Sequence, residues 1–299
     1  MGPLPGRRAR RGPRGTAIEL ISHPALAELH PTAAHPESPA RVTVLLRRFA
    51  DWRQAQPARA DDIRRCHDAA HVERVASADA PAWLDGDTIV SETSYEAALL
   101  AAGAAIQAAR SSGFAVARPP GHHALPHRAM GFCLFNNVAI AARFAQAELG
   151  VQRVAIVDWD VHHGNGTQAI FAGDASVLYV SLHQWPFYPG TGGPDDQDET
   201  TVNVPLPAGS GDDEYTATFS RVVEPAVGGF DPDLVLVSAG FDAHGEDPLA
   251  DMRVTVDGFR ELARRSAALG PRVGAVLEGG YNLRTLPDLV EAALEGFAA

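Results

Sequence analysis

A chain of 299 residues with 45% hydrophobic content is long enough to bury one large core, and its formal net charge of −12 argues against a body built to hold nucleic acid. No apolar stretch reaches bilayer-spanning length, no charged-then-apolar signal segment opens the chain, and two cysteines, Cys66 and Cys133, supply no disulfide framework. The expected protein is therefore cytoplasmic, neither membrane-embedded nor disulfide-stapled.

Residues 1–15 hold five arginines among prolines and glycines, with almost nothing apolar, and are expected to form a disordered basic tail ahead of a single domain over 16–299. All 25 basic residues are arginine, so an enzyme acting on lysine could not be its own substrate. Within the domain, YEAALLAAGAAIQAAR at 95–110 reads as a helix, and FAVARPP near 114–120 as an apolar run ending in a turn. NVAIAARFAQAEL at 137–149 is the next helix, VAIVDWDVH at 154–162 and VLYVSLH at 177–183 are strands, and 184–200 is a loop. LVLVSAGFD at 234–242 is a strand, 243–254 a second loop, DGFRELARRSAAL at 257–269 a helix, and VGAVLEGGY at 273–281 the last strand. The strands are near-continuous apolar runs rather than alternating ones, which marks burial on both faces, and their alternation with helices predicts a parallel, helix-covered sheet. Ligands bind outside the carboxyl ends of such strands, and here those ends carry His, Asp or Gly-rich residues.

RPPGHHA at 118–124 places His122 and His123 after a Pro-Pro-Gly turn, from which both imidazoles could reach one cleft, although adjacent histidines also serve simple packing. If extended backbone continues through DWDVHHGNGTQ at 158–168, Asp158, Asp160 and His162 point to one side. An Asp and a His two apart suit a divalent metal, or a hydrogen bond capping the next helix. Asp242 tips the choice toward a metal, because a buried strand terminus seldom ends in Asp unless the charge is paired or metal-bound. Two carboxylates, one imidazole and an open position describe a catalytic zinc site, with iron(II) or cobalt also compatible. Asp158 would back one histidine and fix its tautomer, while Asn165 would orient the other without charging it. Such a pair has separated pKa values and can divide general-base and electrostatic work. Tyr281 follows Gly279 and Gly280, which permit unusual backbone angles; near a metal its hydroxyl could donate to a developing oxyanion, and otherwise it packs.

Taken together and in order, RPPGHHA, GFCLFNNVA, DWDVHHGNGTQ, SAGFDAH and LEGGY resemble the histone deacetylase superfamily, including its bacterial deacetylase-like amidohydrolases and acetoin-utilisation-type members, over residues 16–299. The resemblance implies an α/β fold, the arginase/deacetylase three-layer sandwich with a central, mostly parallel sheet of about eight strands. It implies one Zn2+ per chain on Asp160, His162 and Asp242, with His122, His123 and Tyr281 catalytic, Asp158 and Asn165 supporting them, and Asn165 marking the class II branch. Gly131, Phe132 and Tyr188 would wall the channel that grips an acyl-lysine's alkyl chain, and Leu249 and Gly279 would complete the substrate-binding set. Arg41, in HPESPAR at 35–41, would lie near an acetate-release cavity. A K+ ion is implied near the zinc, through the segments matching Asp158, Asp160, His162, Ser181 and Leu182. Leu249 stands where an acetylpolyamine-preferring class II member has Glu, which argues against polyamine selectivity.

The expected reaction is hydrolysis of the amide of an N-acetyl- or acyl-lysine, in a protein or a small N-acyl amine. His123 would accept the proton of water with help from His122 and Asp158, and Tyr281 would stabilise the oxyanion. The alternative on the same site is an acetylpolyamine or other small-molecule amidohydrolase. A dimanganese ureohydrolase on this fold would need further bridging carboxylates, yet His163 follows His162 and 242–244 reads DAH. A non-catalytic acyl-lysine-binding module would show a lost ligand, histidine or tyrosine. The partner expected is the substrate, with no nucleic acid and no membrane; association into homo-oligomers is left open.

Overall fold

One row of hydrogen-bonded strands sets the level of the whole sheet: Ala115 pairs with Val276, Val276 with Ser238, Ser238 with Asp158, Asp158 with Ser181 and Ser181 with Asn203. The computed structural model describes residues 18–299, so the basic segment 1–15 lies outside the described residues. In chain order the elements are β1 (Leu20–Ser22), α1 (Ala40–Arg48), β2 (Arg53–Gln54), α2 (Ala60–Ile63), α3 (Ala69–Ala76), β3 (Ala82–Trp83), β4 (Ile89–Val90) and α4 (Ser94–Ser111). They continue with β5 (Phe114–Ala115), α5 (Asn137–Glu148), β6 (Val154–Asp158), α6 (Asn165–Phe171), β7 (Val177–Gln184), β8 (Thr201–Leu206), α7 (Asp212–Thr218) and α8 (Glu224–Phe230). The last are β9 (Leu234–Ala239), α9 (Val256–Ala267), β10 (Val273–Leu277) and α10 (Leu286–Ala298).

The central sheet has eight strands in the order β2-β1-β5-β10-β9-β6-β7-β8, every neighbouring pair parallel. β3 and β4 form a separate antiparallel pair that the sequence pattern does not announce. Along β6 and β9 successive residues alternate between two cores. Val154, Ile156, Leu234 and Leu236 join the alanine-rich face of α4 and α5, while Ala155, Val157, Val235 and Val237 join α9 and α10. Both faces are therefore apolar, which accounts for the continuous runs. Each Val, Leu or Ile buried this way contributes roughly 1.5–3 kcal/mol. Glycine lets α4 lie close against its neighbours: a Cβ at Gly274 of β10 would stand 2.8 Å from the Ala108 carbonyl oxygen.

Four strands are shorter than the sequence pattern suggests: β9 stops at Ala239 and β10 at Leu277, ahead of Asp242 and Tyr281, and β5 and β6 also end early. β5 ends at Ala115, ahead of Pro119 and Pro120, which have no N–H to donate to a ladder. β6 stops at Asp158 instead of running on to His162. Beyond it the amides of Asp160, Val161 and His162 donate to the carboxylates of Asp158 (3.1 Å), Asp242 (2.9 Å) and Asp160 (2.9 Å). Side-chain acceptors thus replace the strand ladder and turn the chain. The extended-backbone premise for Asp158, Asp160 and His162 does not hold, yet the turn keeps all three at the same strand end.

Candidate metal centre and surrounding site

β10, the last strand, lies between β5 and β9, and β9 lies beside β6. Their carboxyl ends deliver the RPPGHHA loop, the LEGGY segment, Asp242 and the DWDVHH turn side by side. Asp160, His162 and Asp242 each offer one ligand atom within 4.8 Å of the others. His162 Nδ1 lies 3.1 Å from Asp160 Oδ1 and 3.2 Å from Asp242 Oδ2, and both carboxylates are fully buried. Burial alone would keep His162 neutral, but Asp160 and Asp242 raise it to about 10. Burial and the nearby Asp160 push Asp242 up. Two buried carboxylates about one imidazole call for a positive charge, and beyond the His162 contact Asp242 Oδ2 has no hydrogen-bond partner among the described residues. The flanking glycines keep the carboxylates clear: a Cβ at Gly240 would stand 2.1 Å from Asp160 Oδ2, and one at Gly279 would stand 2.0 Å from Asp242 Oδ2. Two carboxylates, an imidazole and an orphaned buried oxygen fit a divalent metal.

His122 and His123 stand next to this cluster with ring centroids 4.0 Å apart. His122 Nδ1 meets Asp158 Oδ2 at 3.0 Å, and Asp158 also accepts the Tyr179 hydroxyl at 3.0 Å. His123 Nδ1 meets Asn165 Oδ1 at 2.8 Å. Burial opposes charge on both rings. Asp160 and Asp158 overcome it for His122, which rises to about 10. At His123 burial is reinforced by His122 and His162, and the ring is held well below the usual imidazole range. The pair is split into one ring that carries a proton readily and one that stays neutral, the condition for dividing electrostatic and base work. Asn136 and Asn137, from GFCLFNN, brace the loop: Asn137 Nδ2 donates to the Pro119 carbonyl at 3.0 Å, and Asn136 caps α5.

Arg41 is fully buried beneath LEGGY. Its Nε donates to the Gly280 carbonyl at 2.8 Å, its Nη2 donates to the Glu278 carbonyl, and its guanidinium lies 4.8 Å from the centre of the Tyr281 ring. Burial raises the Tyr281 hydroxyl well above its ordinary pKa, so it stays a donor. Glu37 lies behind Arg41, with Oε1 3.6 Å from Arg41 Nη1 and 2.9 Å from Arg118 Nε.

Aromatic rings frame the approach. Tyr188 is 5.2 Å from His123 and 6.0 Å from His162 between ring centroids, Phe187 stacks on His162 at 5.3 Å, and Phe132 meets Tyr281 edge-on at 5.7 Å. Gly131 has φ +58°, and a Cβ there would stand 2.4 Å from the His123 ring. Leu249 sits farther out, half-buried, its amide donating to Asp247 Oδ1 at 3.0 Å. Ser181 Oγ pairs with His183 Nδ1 at 2.9 Å, and Leu182 is buried beside it in β7.

Residues 35–297 match the histone deacetylase domain. The chain belongs to the histone deacetylase family. Among its relatives, the histone deacetylase-like amidohydrolase of Pseudomonas aeruginosa is 44% identical over 263 residues, 81% of this chain and 69% of that one. Histone deacetylase 10, chloroplastic, of Oryza sativa subsp. japonica is 38% identical over 95% of this chain and 74% of its own. The crystal structure of the HDA15 HD domain superposes with a TM-score of 0.88 at 37% identity, covering 95% of this chain and 88% of that one. The fold is accordingly the arginase/deacetylase sandwich, and this histone deacetylase family member is a hydrolase by kinship.

Sequence reasoning passed over several residues of this deacetylase-family site. Glu278 is fully buried, and its Oε2 accepts the amides of Gly121 at 2.6 Å and His122 at 3.1 Å. The rule that drew attention to Asp242, a carboxylate at the end of an apolar strand, applies equally to Glu278. Tyr179, Phe187 and Asp247 carried no such signal, since their importance comes from partners distant in the chain.

Proposed function

We propose that this protein is a zinc-dependent deacylase that hydrolyses the amide of N-acetyl- or acyl-lysine, or of a related N-acyl amine. The observation that carries the reading is the convergence of Asp160, His162 and Asp242 beside the His122–Asp158 and His123–Asn165 pairs. Asp160, His162 and Asp242 would hold the zinc, which when bound would supply Lewis-acid polarisation of an amide and a lowered pKa for water. His123, neutral in its buried setting, accepts a proton from the attacking water and returns it to the departing amine. His122, paired to Asp158, holds positive charge next to the developing negative charge. Tyr281 donates its hydroxyl hydrogen bond to the carbonyl oxygen as it becomes an oxyanion.

Phe132, Tyr188 and Gly131 enclose the alkyl chain, Gly279 keeps the floor of the site open, and Arg41 lines the route by which acetate leaves. The segments carrying Asp158, Asp160, His162, Ser181 and Leu182 would hold a K+ ion beside the zinc. Leu249 at the rim offers no charge to a polyamine, which favours acyl-lysine. No helix among the described residues is long and apolar enough to cross a membrane, and the compartment we propose is the cytoplasm.

The test is a panel of acyl-lysine peptides, acetylpolyamines and small N-acyl amides given to the zinc-loaded protein and to Tyr281→Phe. The parent is expected to turn over acyl-lysine peptides best, and the variant to be slower by about two to three orders of magnitude. Equal rates for parent and variant would remove Tyr281 from the mechanism, and preference for an acetylpolyamine would replace the substrate reading.

A further inference from the structure

Tyr281 follows two glycines, and Gly280 has φ +113°, so the segment that carries the tyrosine has little stiffness of its own. Something outside the segment must hold it. On one side Arg41 takes the Gly280 carbonyl. On the other, Asp247 Oδ2 accepts the Tyr281 amide at 2.7 Å and the Asn282 amide at 3.3 Å, while Oδ1 accepts the Leu249 amide at 3.0 Å. Asp247 is buried, at 8% exposure, and among the described residues no arginine pairs with it; its ties are to backbone.

Two further contacts bind the same pair of loops. Asn282 Nδ2 donates to the Glu246 carbonyl at 2.7 Å, and Arg284 pairs with the Glu246 carboxylate at 2.7 Å. Segments 246–249 and 281–284 therefore form one hydrogen-bonded unit, with Leu249 at its outer edge and Tyr281 at its inner edge. A carboxylate suits the junction because it offers an acceptor oxygen to each loop, Oδ1 to the Leu249 amide and Oδ2 to the Tyr281 and Asn282 amides.

We infer that Asp247 is a positioning residue for Tyr281, coupling the rim loop that bears Leu249 to the hydroxyl that acts on the substrate carbonyl. The inference rests on the proposed role of Tyr281 and goes beyond it. Reaction rates fall steeply when a reacting or stabilising group is misplaced by about 1 Å. Loosening the Tyr281 amide while leaving the zinc ligands and the channel in place should therefore lower kcat and spare KM.

The experiment is a double-mutant cycle on the zinc-loaded full chain with an acyl-lysine peptide. Asp247→Ala alone is expected to lower kcat by about ten- to a hundredfold, with KM changed by no more than about twofold and zinc content unchanged. In the Tyr281→Phe background the same substitution should cost nothing further, because the group it positions is already gone. Asp247→Asn, which keeps the size of the side chain, should lower kcat less and lose its effect in the same background. Full-sized, additive losses in the Tyr281→Phe background would overturn the inference, as would an unchanged kcat in Asp247→Ala. Parental activity in Tyr281→Phe alone would instead sink the role of the tyrosine, so the two failures are distinct.

Discussion

Glu278 and Asp158 hold His122 between them at backbone and ring: Glu278 Oε2 accepts the His122 backbone amide at 3.1 Å while Asp158 holds the ring nitrogen at 3.0 Å. The ring is thus set from its side chain by one strand end, β6, and from its backbone by another, β10. Glu278 also accepts Gly121 at 2.6 Å, so one carboxylate oxygen satisfies two consecutive amides of the histidine loop.

Removing that acceptor should be costly. Glu278→Ala leaves two buried N–H groups unpaired, at roughly 1–3 kcal/mol each, and is expected to lower the thermal midpoint by at least several degrees and to reduce turnover. Glu278→Gln keeps an oxygen acceptor and should restore most of the stability. Thermal unfolding of the two variants beside the parent checks this; equal midpoints for Ala and Gln would show that the amides do not depend on residue 278.

The metal cluster makes a prediction about stability as well as activity. Asp160 and Asp242 are both fully buried around one imidazole, so a bound cation stabilises the folded state in proportion to its affinity, by RT ln(1 + [L]/Kd). Chelation should lower the melting temperature of the parent and abolish turnover. Asp242→Asn should bind little metal, be inactive, and melt at the same temperature with or without chelator. Metal analysis of the purified variants, run with the melting curves, decides it; a chelator-sensitive Asp242→Asn would mean that the metal is held elsewhere.

Acid should destabilise the protein through histidines that lie outside the metal cluster. Burial, with a contribution from His71, lowers His67 to about 3, and burial lowers His30 to about 4. His67 Nε2 accepts the Asn136 amide at 2.9 Å and Nδ1 faces the Leu125 carbonyl at 3.0 Å, an arrangement that requires the neutral ring. The folded pKa values lie below the unfolded value of 6.5, so between them the unfolded chain binds more protons. Stability is complete above the unfolded pKa and declines as pH falls toward 4, by about 1.4 kcal/mol per pH unit for each group at most. Urea unfolding of the parent beside His67→Gln and His30→Gln from pH 6.5 to 4.5 should show the parent losing stability relative to each variant as the pH falls. A difference between parent and variant that stays constant across the window would contradict the neutral buried state of these rings.

Much of this protein follows from local sequence. The apolar runs at 154–157 and 234–239 declare strands covered on both faces, and the chemistry-bearing residues declare themselves by standing where those runs stop. Asp242 is legible because a carboxylate at the end of a buried strand needs a reason to be there, whereas Asp160, His162, His122, His123 and Tyr281, each open to a plainer reading alone, stand out by occurring together in the order of the family's motifs. Tertiary structure alone decided which strand ends are neighbours. β10, last in the chain, enters the sheet between β5 and β9, and that insertion sets Glu278 against Gly121, 157 residues away, and Gly280 against Arg41, 239 residues away. Period and propensity act over a few residues, whereas these contacts arise from how the two cores close on the sheet. The residues proposed to perform the chemistry, with Asp158 and Asn165 behind them, are therefore visible in the sequence, whereas the supports at Glu278 and Asp247 become visible only in the fold.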